Sequence, residues 1–140
     1  GTDELLGAVY DHVVAQLGEA VGAAIEAAGD DRNARTWAGM REVLAFSSGD
    51  PRRGRVLFTD ARANSVLTER RTATQAVLYE QVILEDARLH PATDTVSAKV
   101  AAALFTGAMS ELVCQWLLGH LGDDVDKVTD HALKRVLIKD

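Results

Sequence analysis

Four histidines (His12, His90, His120 and His131) and one cysteine (Cys114) are the residues of this chain best suited to hold a metal or attack a substrate. Zinc needs several such ligands brought together by short spacings, and no HxxxH or HxH pattern occurs. A helical di-iron enzyme would need Glu-x-x-His pairs on two helices. Here Glu80 is followed three residues on by Ile83, and Glu111 by Cys114. No Gly-rich phosphate loop and no local Ser/His/Asp set stands out. The chain therefore reads as a non-enzyme, with no metal and no cofactor. A single cysteine leaves no internal disulfide to form, and Cys114 lies in a long apolar run where it reads as a small buried hydrophobe.

What remains is binding chemistry. Trp37, Met40, Phe58, Tyr79, Phe105 and Met109 are large, adaptable side chains that could wall a pocket between the second, fourth and fifth helices. Ligand sites are mostly apolar, with a few polar groups that set orientation, and Met and aromatic residues tolerate several ligand shapes. Tyr79, Thr106, Ser110 and Gln115 could supply the polar groups. The plainer reading of the same residues is an ordinary core. Six arginines, Arg52, Arg53, Arg55, Arg62, Arg70 and Arg71, cluster on an otherwise acidic chain and read as a solvated face.

The elements that must position these residues are helical. Strand-like alternation is missing, and both prolines fall where helices should start or stop. Six helices are expected: Asp3 to Ala28, Asn33 to Ser48, Pro51 to Arg62, Val66 to Leu89, Thr95 to Leu121 and Val125 to Ile138. The first carries a stripe of Leu6, Val9, Tyr10, Val13, Leu17, Val21, Ala24 and Ile25, with Thr2 as its cap. The second turns Trp37, Met40, Val43, Leu44 and Ala45 inward and Arg35, Arg41 and Glu42 outward. Asp50-Pro51 restarts the chain for the third, whose apolar set is Val56, Leu57, Phe58 and Ala61. The sixth has Val125, Val128, Ala132, Leu133, Val136 and Leu137 on one side, with Lys134, Arg135 and Lys139 suiting a helix C-terminus.

The fifth helix differs from the others in being apolar on nearly every side. Lys99, Glu111, Gln115 and His120 interrupt it too closely for a membrane span. One of its faces must bury against the chain's own helices and the other against a partner. A second copy would give a homodimer in which the last two helices form a four-helix bundle, with Leu117, Leu121, Val128 and Val136 near the contact.

The 140 residues suffice for one domain, 1–140, and 47% hydrophobic against 26% charged residues is a globular balance. A net charge of −6 makes the chain by itself a poor partner for nucleic acid. No stretch has the pattern of a signal peptide, and with one cysteine a cytoplasmic setting is expected.

Three collinear stretches resemble one family. Gly1-Thr2-Asp3-Glu4-Leu5-Leu6 through Val9-Tyr10 is similar to the segment that follows the helix-turn-helix of TetR-family transcriptional regulators. Asp50-Pro51-Arg52-Arg53-Gly54-Arg55-Val56-Leu57-Phe58 resembles a short helix found in many members. Leu104-Phe105-Thr106-Gly107 through Trp116-Leu117-Leu118-Gly119, followed by a capped amphipathic helix, resembles the family's closing pair. The resemblance implies an all-α, antiparallel orthogonal bundle: the C-terminal ligand-binding and dimerisation domain of a repressor or activator. It also implies a small-molecule effector, and DNA binding only through an upstream module that this chain lacks.

Overall fold

The computed structural model describes residues 1–59, 63–91 and 94–136. The described residues are all-α: α1 (Thr2–Ala27), α2 (Arg32–Gly49), α3 (Pro51–Gly54), α4 (Ser65–Leu89), α5 (Thr95–Leu117) and α6 (Val125–Val136), with a π-helical turn, Arg55–Thr59, directly after α3. Ala61, Arg62, Leu137, Ile138 and Lys139, expected in the third and sixth helices, lie outside the described residues.

The helix starts are set by local chemistry. The Asp31 carboxylate accepts from the Ala34 amide at 2.9 Å, and Asp50 from that of Arg52 at 3.0 Å. Asn64 accepts from Val66 and Leu67 at 2.9 and 3.2 Å, and Asp94 from Val96 and Ser97 at 2.9 and 3.1 Å. Each satisfies amides that the first helical turn leaves without an intrahelical partner. Thr2 is not a cap, because the helix already includes it and Gly1 occupies the capping position. Gly29 and Gly122 end their segments with φ of +83° and +84°, a conformation that costs a residue without Cβ little.

The third helix is shorter than its pattern suggests. At about 100° per residue, three consecutive apolar residues cannot all face one side of an α-helix. Val56, Leu57 and Phe58 lie in the wider π turn instead, where Leu57 enters one core cluster and Phe58 touches two. Gly54 makes this approach possible: a Cβ there would collide with the Ser47 carbonyl oxygen and lie 2.8 Å from a Leu117 methyl.

Packing centres on α2, which touches α1, α3, α5 and α6, while α1 and α5 each also pack on α4. Small residues let α1 come close: a Cβ on Gly39 would stand 3.3 Å from the Ile25 methyl. Two core clusters result. The first joins Tyr10 and Val13 of α1 to Phe46, Leu57 and Leu67. The second joins Met40 and Leu44 of α2 to Met109, Val113 and Trp116 of α5 and Val128 of α6. Val9, expected in the buried stripe, is 42% exposed because it lies a full residue off the Leu6–Tyr10–Val13 line.

The fifth helix, as its all-round apolar pattern suggests, has two different sides. Ala98, Ala102, Thr106, Met109, Ser110, Val113, Cys114 and Trp116 are buried, whereas Val96, Val100 and Leu104 are 68%, 52% and 70% exposed. Thr95–Leu117 is long and apolar enough to cross a bilayer by length and composition, a test that a core helix also passes. Its final turn, Leu118 to Leu121, is not helical, and Gly119 at φ +81° opens it.

Candidate functional site

Of the six residues expected to wall a pocket, four converge. Met40 and Met109 are 1% and 7% exposed within the second cluster, and Phe58 and Phe105 pack against it. They meet as a filled core together with Leu44, Val113 and Trp116, whose indole donates to the Leu44 carbonyl at 3.2 Å. Tyr79 lies half-buried on α4 and belongs to neither cluster. Trp37 is also elsewhere. It forms one wall of an open apolar groove of about 510 Å³ between α1, α2 and α6, with Ala24, Ala28, Ala34 and Leu133. Its indole nitrogen donates to Asp130 on α6 at 2.8 Å.

Polar groups proposed for orienting a ligand separate in the same way. Gln115 of α5 donates to Glu111 at 2.9 Å and contacts the ring of His120, in the turn after the helix, at 2.6 Å, both near the surface. Thr106 and Ser110 are each 8% exposed and face the interior one turn apart. Ser110 Oγ accepts from the Arg71 guanidinium at 2.8 Å. Arg71 was expected on a solvated face. It lies instead one turn beyond Leu67 on the same inward line of α4, and that spacing is the signal a sequence reading could have used.

Arg71 anchors a polar seam among α1, α4 and α5. Tyr10, 2% exposed, is hydrogen-bonded to Thr74, one turn along α4 from Arg71. Burial pushes the Tyr10 phenol above its ordinary pKa, while the Thr74 hydrogen bond and the Arg71 charge pull it partly back. On the other side of the seam, Thr106 Oγ1 is buried and makes no hydrogen bond. Neighbouring Arg70 differs from Arg71: it crosses α1 over Gly7 and pairs with Asp11. Among the described residues no carboxylate pairs with Arg71, whose hydrogen bond goes to a neutral hydroxyl.

A second departure from expectation is Arg35. Rather than pointing outward, its side chain is 12% exposed, pairs with Glu85 of α4 at 2.6 Å and donates to the carbonyls of Ile25 and Gly29 at 3.4 and 2.9 Å. One guanidinium thus ties together the ends of α1, α2 and α4. The hydrogen bond from Arg35 holds the Glu85 carboxyl below the ordinary glutamate range, with a smaller contribution from Arg88.

The remaining candidates are distributed as follows. His12, His120 and His131 are exposed and His90 is half-buried. Among the described residues, no three His, Cys, Asp or Glu side chains gather into a metal-sized cluster. Cys114 is 3% exposed, with its thiol 3.8 Å from the Phe58 carbonyl oxygen. Of the residues expected at a dimer contact, Val128 is only 8% exposed within its own chain, and Val136 and Leu117 pack against the same cluster. Leu121 is 38% exposed. The outward side of α6 carries Lys127, Asp130, His131, Lys134 and Arg135 and is therefore polar. The apolar outward surface lies on α5 and α4, where Val77 and Leu84 are 61% and 62% exposed.

Comparison with known proteins finds no matching family model, no matching curated protein and no matching solved structure.

Proposed function

We propose that this chain is the effector-binding and dimerisation domain of a TetR-like, cytoplasmic transcriptional regulator, acting on DNA through a helix-turn-helix carried outside these residues. The single observation that carries the reading is the division of α5 into a core-forming side and an exposed apolar side. Val96, Val100 and Leu104 follow one another at four-residue spacing on one face and are each more than half exposed. Contiguous apolar patches of that kind on a monomer mark contact surfaces. A second copy laid along α5, with Val77 and Leu84 of α4 beside it, would cover them. This differs from a contact built on α6, whose apolar side already faces its own core.

For the effector, the reading rests on an α-helical interior that combines soft, adaptable side chains (Met40, Met109, Phe58, Phe105) with a polar seam close by along α5. A small apolar or amphipathic molecule suits that combination. Its signal would leave through α1, which packs on both α2 and α4 and so feels a change in either. The test is thermal unfolding, at fixed protein concentration, against a panel of such molecules. A saturable rise in melting temperature is expected for at least one amphipathic class. No rise across the panel would refute the sensor function.

One observation favours a second reading, a helical dimeric scaffold without a ligand: Met40, Leu44 and Val113 are buried to within about 1% in a filled cluster. A scaffold would keep the dimer and show no ligand-induced stabilisation.

A further inference from the structure

Buried polar side chains are normally matched, because an unpaired one loses its water without replacement. The seam among α1, α4 and α5 breaks this rule at Thr106, beside a half-buried arginine that no carboxylate matches among the described residues. Arg71 is a partly buried cation with only a hydroxyl for a partner among the described residues, Ser110 Oγ at 2.8 Å. Thr106, one turn away on the same face of α5, is 8% exposed, and its hydroxyl makes no hydrogen bond, not even to the preceding helical turn. The short connection from His90 to Asp94 makes α4 and α5 antiparallel neighbours, so the turn leading from Ser110 to Thr106 runs beside the turn leading from Arg71 to Thr74. Tyr10 closes the same space from α1 through its hydrogen bond to Thr74. The donors are a guanidinium and several hydroxyls. The nearest carboxylate on α1, Asp11, is engaged by Arg70.

We infer that this seam is an anion-binding site for the carboxylate head of an organic acid with an apolar tail. Resting on the sensor function proposed above, this names the effector's chemical class. A carboxylate fits the Arg71 fork through two parallel charge-assisted hydrogen bonds and has lone pairs left for a hydroxyl such as Thr106. Phe105, partly buried and adjoining Thr106 along α5, supplies apolar surface for the tail next to the head. An alcohol of the same length would bury its tail equally well and leave the guanidinium unmatched. A cationic amphiphile would set like charges against each other.

The experiment is calorimetric titration of the whole chain with decanoate, decan-1-ol and decyltrimethylammonium, each below its aggregation concentration. Four proteins are compared: wild type, Arg71→Gln, Arg71→Lys and Thr106→Val. Wild type is expected to bind decanoate about ten- to a hundredfold more tightly than decanol, the range of one charged hydrogen-bonded contact. Arg71→Gln should bring that ratio close to one, and Arg71→Lys should restore part of it by keeping the charge without the fork. Thr106→Val should lower the ratio severalfold while leaving the melting temperature of the ligand-free protein unchanged or higher. A residue that only supported the fold would lower the melting temperature and leave the ratio alone. Equal binding of acid and alcohol by wild type, or an undiminished ratio in Arg71→Gln, would overturn the anion site and leave the sensor function standing on the alcohol. Absence of any saturable binding by decanoate up to millimolar concentration would also overturn it, with the decanol titration judging the sensor function separately.

Discussion

Gly54→Ala is the substitution whose sign is most directly set by geometry. Ordinarily Gly to Ala within a helix stabilises by up to about 1 kcal/mol, because the unfolded chain loses freedom. At Gly54 the new methyl would meet the Ser47 carbonyl oxygen, which is backbone, and two Leu117 methyls at 2.8 and 3.0 Å. A leucine can turn aside, but the carbonyl moves only if the end of α2 moves. Inserting a methyl into such a contact costs about 1–3 kcal/mol. Set against the propensity gain, the net effect is a loss of about 1–2 kcal/mol, or roughly 3–8 °C in melting temperature for a chain of this length. Urea unfolding followed by far-UV circular dichroism, at fixed protein concentration, measures it. Gly18→Ala on α1 is the matched control: nothing lies within 4 Å of its added methyl, so it should stabilise by about 0.5–1 kcal/mol. If Gly54→Ala proves as stable as wild type, the close passage of the π turn against α2 and α5 is wrong.

Three further outcomes follow from the packing and electrostatics. Met40→Ala, at a side chain 1% exposed in the second cluster, should destabilise by about 2–5 kcal/mol in chemical denaturation; a loss below that range would mean the cluster is loose enough to collapse around the gap. Asn64→Ala removes the acceptor for two amides and should lower stability by about 1 kcal/mol, which a thermal scan against the exposed control Ser65→Ala would reveal. Glu85 is lowered in the folded state by Arg35, so its contribution is present at neutral pH and lost as pH falls through that depressed value, below the ordinary glutamate range. With Glu85 37% exposed the contribution is at most about 1 kcal/mol, and the stability difference between wild type and Glu85→Gln should therefore narrow only under strongly acidic conditions.

The fold class was legible because helix periodicity, caps and stops agree along the chain. Asp31, Asn64 and Asp94 fall where short polar side chains precede apolar runs, and Gly29 and Gly122 fall where they end. The π turn was not legible, since the run Val56-Leu57-Phe58 signals that a one-sided α-helix does not suit it without saying what replaces it, which the approach of Gly54 to Ser47 decides. Arg35 and Arg71 were misplaced for a related reason. A lone arginine in a sequence reads as solvated, and only the tertiary fold brings Glu85 or Ser110 within its reach. Met40, Phe58, Phe105 and Met109 could be grouped from helical spacing alone. Whether such a group encloses space depends on helix separations that spacing does not encode. Trp37 left the group because α6 presents Asp130 to it, a contact spanning 93 residues of chain.

The exposed apolar face of α5 is the feature on which the proposed function most depends, and solution mass tests it most directly. Light scattering coupled to size-exclusion chromatography at micromolar concentration should give twice the 15.0 kDa chain mass for wild type. The same measurement on Val100→Glu/Leu104→Glu, which places charge on the exposed stripe without touching either core cluster, should give the single-chain mass with helicity retained. A wild-type mass of 15.0 kDa would contradict the dimeric regulator domain.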